Sequence, residues 1–230
     1  VTPAVFPTFD VAEIAEEASE RAGVEFRSGY ILRSARRSIE LLSIEWGNRG
    51  LNLWTIEDAT VDLEQGVPEY FLPVDTIDLI EHNLRYWNND SGKPTDYPLT
   101  RRSIDEYAVI PNKWNQGRPS TILIRRNITP SFVLWPVPSR DNYYQVVYSR
   151  LRRMASVGAG GTGQPDMPWR FLPAMIAGLA FYLALKSTDP GAQQRVPMLK
   201  AAYEEQFTLA SDEDRDRASV KWVPWNYSIL

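Results

Sequence analysis

The chain has 230 residues, 43 % of them hydrophobic, enough for one large domain or two small ones sharing a core. It has no cysteine and a single histidine, His82, which excludes disulfides, thiolate nucleophiles, Cys-based zinc sites and multi-histidine metal sites. A formal charge of −4 lacks the basic excess of a nucleic-acid binder, and an aromatic share of 12 % suits cores and interfaces alike.

Residues 1–10 carry no basic segment followed by an apolar one, so no secretory signal is read there. Asp10 caps a predicted helix that runs to Ala22 and stops at Gly23. Ile31, Ala35, Ile39, Leu42 and Trp46 recur at helical spacing and predict a second helix over 28–46. Arg33, Arg36 and Arg37 sit off its apolar stripe. From residue 51 the pattern changes. Thr60-Val61-Asp62-Leu63 alternates, Glu64-Gln65-Gly66 reads as a hairpin turn, and 69–72 reads as the returning strand. Residues 76–85 form a longer strand, and Ile77, Leu79 and Leu84 break its alternation, which predicts a bulge. A polar loop follows at 88–94. Residues 99–108 resemble a short helix, with Ser103 and Glu106 as a capping box. Three more strands fall at 120–125, 132–135 and 143–153. A glycine-rich loop, 157–168, leads into the apolar run 171–185. That run is shorter than the about 20 residues of a membrane span and reads as a core helix over 168–186. Asp189-Pro190 starts a last helix to 210, which Pro197 should kink or delay.

Neither pair of terminal helices can bury its apolar face alone, so the two pairs must pack together. The expected fold class is α+β: an antiparallel β-sandwich or barrel-like domain inserted into a helical bundle formed by the N- and C-terminal helices. The expected parts are a bundle from 1–50 and 168–212, a β-domain at 51–167 and a C-terminal tail at 213–230.

Candidate chemistry is sparse. Gly158-Ala159-Gly160-Gly161-Thr162-Gly163 matches the dinucleotide fingerprint, but Pro165 and Pro168 separate it from the helix and no acid-bearing strand follows. It reads as a flexible loop that orders on meeting a partner. Arginines cluster at Arg33/Arg36/Arg37, Arg101/Arg102, Arg125/Arg126 and Arg150/Arg152/Arg153. Neighbours on a strand point to opposite faces, so these clusters form no continuous groove; solvated surface or subunit salt bridges are the expected roles. Asp75 reads as ending a turn after Pro73, not as a partner of Asp78. The acids at 212–216 lack the glycine and terminal glutamate of a calcium loop and read as a solvated run. His82 reads as an ordinary strand histidine. No catalytic, cofactor-binding or metal-ligating residue is assigned, and no cofactor. The partner-contact candidates are Arg33 and Arg37, with Trp222, Trp225, Tyr227 and Leu230 of the aromatic tail. That tail suits docking on another chain as well as folding back onto its own core.

An ordered set of short motifs carries a family resemblance. Tyr70-Phe71-Leu72-Pro73 with Asp75-Thr76-Ile77 comes first, then Arg102-Ser103-Ile104-Asp105-Glu106-Tyr107. Gly117-Arg118-Pro119 and Leu134-Trp135-Pro136-Val137-Pro138 follow. Over residues 28–210 the chain resembles the head-to-tail adaptors of short-tailed bacteriophages, the tail tubular protein A group. The resemblance implies a helical domain joined to a β-domain, and a ring of about twelve copies beneath the portal protein with the tail nozzle protein below. It also implies a non-enzymatic virion component of the neck, made in the host cytoplasm. It would line part of the DNA exit channel, touching passing DNA transiently and no membrane. The residues alone reach an α+β interaction protein. Two rival readings are an enzyme holding a phosphorylated ligand on the 158–163 loop, and a carbohydrate-binding tail module with exposed aromatics. Tight nucleotide binding would favour the first, an open aromatic platform the second.

Overall fold

The computed structural model describes residues 9–25, 28–50, 53–87, 93–141, 143–158 and 163–214. Trp222, Trp225, Tyr227 and Leu230 lie outside them, as do the centre of the glycine-rich loop at 159–162 and most of the expected polar loop, 88–92. The helices are α1 (Val11–Ala22), α2 (Ser28–Arg49), α3 (Ile104–Ala108), α4 (Leu172–Lys186) and α5 (Pro190–Glu213). The first strands are β1 (Ile56–Asp62), β2 (Glu69–Phe71), β3 (Thr76–Trp87), β4 (Pro94–Pro98) and β5 (Thr100–Arg101). The remaining ones are β6 (Gln116–Gly117), β7 (Thr121–Arg125), β8 (Ser131–Trp135), β9 (Val137–Pro138) and β10 (Tyr144–Arg152). The protein is thus mixed α+β, with largely antiparallel sheets and, among the described residues, five α-helices. It divides into two compact units, one formed by residues up to 42 and from 157, the other by 43–156.

In the helical unit, α1 begins and ends where its sequence dictates. The Asp10 carboxylate accepts the Glu13 N–H at 2.8 Å while Glu13 accepts the Asp10 N–H at 2.9 Å. Gly23 closes the helix at φ 71°, a conformation that favours glycine. The predicted stripe of α2, Ile31, Ala35, Ile39, Leu42 and Trp46, is buried, and the helix passes through Gly47 to Arg49. A 3-10 turn, Trp169–Phe171, precedes α4. Together, Trp169–Lys186 is long and apolar enough to cross a membrane by length and composition, which corrects the shorter run read from sequence; 56 % of it is buried. α5 is continuous from Pro190, so Pro197 does not delay its start. Asp189 caps it by accepting the Ala192 N–H at 2.9 Å, and Pro197 removes only the N–H that the Gln193 carbonyl would accept.

In the β-unit one sheet runs β1-β10-β3-β4 and another β2-β8-β7-β5, beside a short β6–β9 pair. One apolar cluster draws on both larger sheets, with Leu84, Val146 and Tyr148 from the first and Ile122, Phe132 and Leu134 from the second. Phe132 stacks on Tyr70 at 5.4 Å and meets Tyr148 edge-on at 6.3 Å. The register of β3 against β10 shifts after Ser149 and after Leu151, where a bulge was expected. Ser103 and Glu106 form the expected capping box, but the helix starts only at Ile104, because Thr100–Arg101 pairs in parallel with β7.

The expected hairpin of 60–63 with 69–72 does not form. β1 pairs with β10, while β2 pairs with β8 in the other sheet. The turn is real, with Gly66 at φ 79°, but the chain uses it to change sheets. Pro68 has no N–H to give a hairpin ladder, and its carbonyl accepts the Leu134 N–H at 2.9 Å instead. β4 was missed in the sequence because Pro94 and Pro98 bracket it; it pairs with β3 as an edge strand.

Close packing around α4 yields a prediction. A Cβ on Gly178 would stand 2.9 Å from the Tyr203 ring of α5 and 3.0 Å from Leu42 of α2. Gly178→Val is expected to cost about 1–3 kcal/mol through overpacking, read as a lowered thermal midpoint. An unchanged midpoint would show that this three-helix contact is loose.

Candidate partner interface

On α2 the residues opposite the buried stripe are Tyr30, Arg33, Arg37 and Leu41, all exposed. Tyr30 is 71 % exposed and Leu41 49 %, which puts two large apolar groups on this outer face. The Arg33 Nε donates to the Gly29 carbonyl at 3.1 Å. Neither Arg33 nor Arg37 meets a carboxylate among the described residues. Arg36 parts from them and donates to the Gly158 carbonyl at 3.1 Å. On the inward side, Lys186 of α4 donates to the Ser38 hydroxyl at 2.6 Å. Burial, and next the Arg37 charge, hold its ammonium pKa below the ordinary lysine value.

The β-unit carries a second exposed apolar feature. α3 and the loop after it form one wall of a groove of about 760 Å³ over β7. Ile104 and Trp114, each 70 % exposed, stand on its rim, with Lys113, Arg125 and Arg126 among the lining residues. Neither residue stood out as a contact in the sequence, where Ile104 is only one member of the 102–107 motif; a tryptophan between turn residues was the available signal for Trp114.

The strand arginines are engaged by carboxylates. Arg150 donates to Glu57 and to Asp75, both at 2.7 Å, and Arg152 donates to Glu57 at 2.6 Å. Arg101 bonds Asp78 at 2.9 Å, and Arg125 bonds Glu69 at 2.9 Å. Asp75 does sit in a turn, where the Thr76 N–H donates to the Pro73 carbonyl at 2.9 Å. Asp75 and Asp78 therefore face different arginines and form no carboxylate pair. Hydrogen bonds from Arg150 hold both Asp75 and Glu57 below the usual carboxylate range, with Arg152 adding to the effect on Glu57.

His82 lies half-buried on β3 with its Nδ1 buried and unpartnered. Burial, then the Arg101 charge, lowers its pKa. Among the described residues no group of three or more His, Asp or Glu could hold a metal ion. The flanks of the glycine-rich loop belong to the helical unit, where the Gly163 carbonyl accepts the Val11 N–H at 3.0 Å. The expected solvated run at 212–216 holds for the exposed Asp212 and Glu213 and needs correction at Asp214, while 215–216 lie outside the described residues. Asp212 and Glu213 complete α5, and Asp214 is buried in an ion pair with Arg170. A charged run gave no sign that one of its members turns inward onto Arg170.

Each of the two units thus carries exposed large apolar side chains, Tyr30 and Leu41 on one and Ile104 and Trp114 on the other. The SU10 adaptor protein family matches residues 10–225, and the chain belongs to this family of phage head–tail adaptors. The match reaches α1 and part of the segment beyond α5, both outside the span of the resemblance read from sequence. No curated protein matches the chain. The protein is a phage structural adaptor and a virion component that interacts with other phage structural proteins.

The Arg150 cluster sets a pH dependence. Native Glu57 and Asp75 have lowered pKa values, so the unfolded state binds protons more readily. Their contribution is complete above about pH 5, and it is lost as pH falls through the ordinary carboxylate range to the lowered native values. Arg150→Ala should cost about 1–3 kcal/mol near neutrality, discounted because both carboxylates are partly exposed. It should also flatten the acid limb of the stability curve, measured by urea midpoints. Equal losses at neutral and acid pH would contradict this assignment.

Proposed function

We propose that this adaptor forms a homo-oligomeric ring that links the portal protein to the tail nozzle protein and lines part of the DNA exit channel. In this reading a β-sandwich or barrel-like domain, 51–167, is inserted into a bundle formed by 1–50 and 168–212. The bundle carries the subunit and portal contacts through Arg33 and Arg37, and the β-domain faces neighbours and nozzle. The tail, 213–230, supplies Trp222, Trp225, Tyr227 and Leu230 as anchors on an adjacent chain. The protein catalyses no reaction, and it is assembled into the virion neck after synthesis in the host cytoplasm.

The observation that carries the channel role is the pairing of the arginines on the β-unit's strands. Arg101, Arg125, Arg150 and Arg152 are engaged by carboxylates. Fixed free cations would hold phosphates and retard DNA; paired ones on a chain of net charge −4 let it slide. Two aromatic anchors are each worth roughly 1.5–3 kcal/mol when buried, before ordering costs, which is enough to decide attachment of the tail.

Deleting 221–230 should leave the chain folded by circular dichroism and weaken its binding to purified portal at least several-fold. Full-strength binding, or an unfolded truncated chain, would show that the tail is no anchor. Failure of the intact chain to bind portal at all would sink the linking role.

A further inference from the structure

Resting on the ring reading, we infer that the outer faces of α2 and α5 are the two halves of one head-to-tail contact between copies of this chain. α5 buries Ala192, Leu199, Tyr203 and Ala210. Its opposite face exposes Met198, Ala201, Glu205 and Leu209. Met198 is 63 % exposed and Leu209 58 %. These positions follow one another by three, four and four residues, as do Tyr30, Arg33, Arg37 and Leu41 on α2. At 3.6 residues per turn such spacing keeps each set on one narrow face. Both α2 and α5 therefore have a core face and a second face with large apolar groups at both ends and charge between them.

The charges are of opposite sign. α2 presents Arg33 and Arg37, and α5 presents Glu205. Arg37 and Glu205 hold the same place in their stripes. Neither has an ion-pair partner among the described residues. Pairing α2 with α2 would set arginine against arginine in either direction, and pairing α5 with α5 would set Glu205 against its own copy or against Ala201, with no cation to meet. Pairing α2 with α5 joins opposite charges and covers all four large apolar side chains. Such a contact uses a different patch on each copy. Contacts of that kind close into rings when the rotation permits.

The absence of cysteine makes the test direct. Arg37→Cys and Glu205→Cys chains are purified separately, mixed and mildly oxidised, with portal protein added if the chain alone is monomeric. Mixing should give a several-fold excess of disulfide-linked dimer over either variant alone. It should also exceed Arg37→Cys mixed with Ile128→Cys, a control at an exposed position in the β-unit. Arg37→Glu should lose self-association, and Arg37→Glu with Glu205→Arg should regain it. A mixed dimer no more abundant than the control overturns the inference. If unmodified copies still associate, the ring reading survives; if they do not, both fall together.

Discussion

α4 is the constraint on which the helical unit depends. It is apolar on nearly every side, so water must be excluded from most of its surface. Ala174, Met175, Ala177, Leu179 and Ala180 are buried, and Gly178 lets Leu42 and Tyr203 approach its backbone. Covering such a helix requires neighbours from more than one direction. α2 comes from the start of the chain and α5 from its end, and α1 packs on α4 as well. The two ends of the sequence are thereby brought into one unit, and the middle builds the sheets.

Electrostatics divides the arginines into two populations. Those on the strands are held by carboxylates from neighbouring elements. Arg150 connects β1 to the turn before β3 through Glu57 and Asp75. Arg33 and Arg37 on α2 are not held by any described carboxylate, and they lie beside exposed Tyr30 and Leu41. An adaptor gains from this division. In the proposed role, paired charges stiffen the β-unit without gripping nucleic acid, while Arg33 and Arg37 are left for a protein partner.

Local signals in the sequence were legible wherever their chemistry was local. Asp10, Gly23 and the Ser103–Glu106 box mark helix ends because each acts within a few residues of itself. The stripe of α2 was legible because one helix face meets the core. What failed depended on distant pairing. Glu64-Gln65-Gly66 is a turn in either topology; only the partners of β1 and β2, far along the chain, decide that it changes sheets. Asp214 looks like its acidic neighbours until Arg170 is placed beside it. Arg33 and Arg37 were legible as lying off the stripe of α2, but the outer face of α5 was hidden for a related reason: apolar residues on a second helix face look like noise until the first face is known to be buried.

As proposed, this phage structural adaptor works by repeated contact with identical and non-identical neighbours. The most direct measurement is its copy number in intact particles, by native mass or quantitative mass spectrometry against the portal. One fixed number of copies, well above two and consistent with a closed ring, is predicted. One or two copies per particle would contradict it.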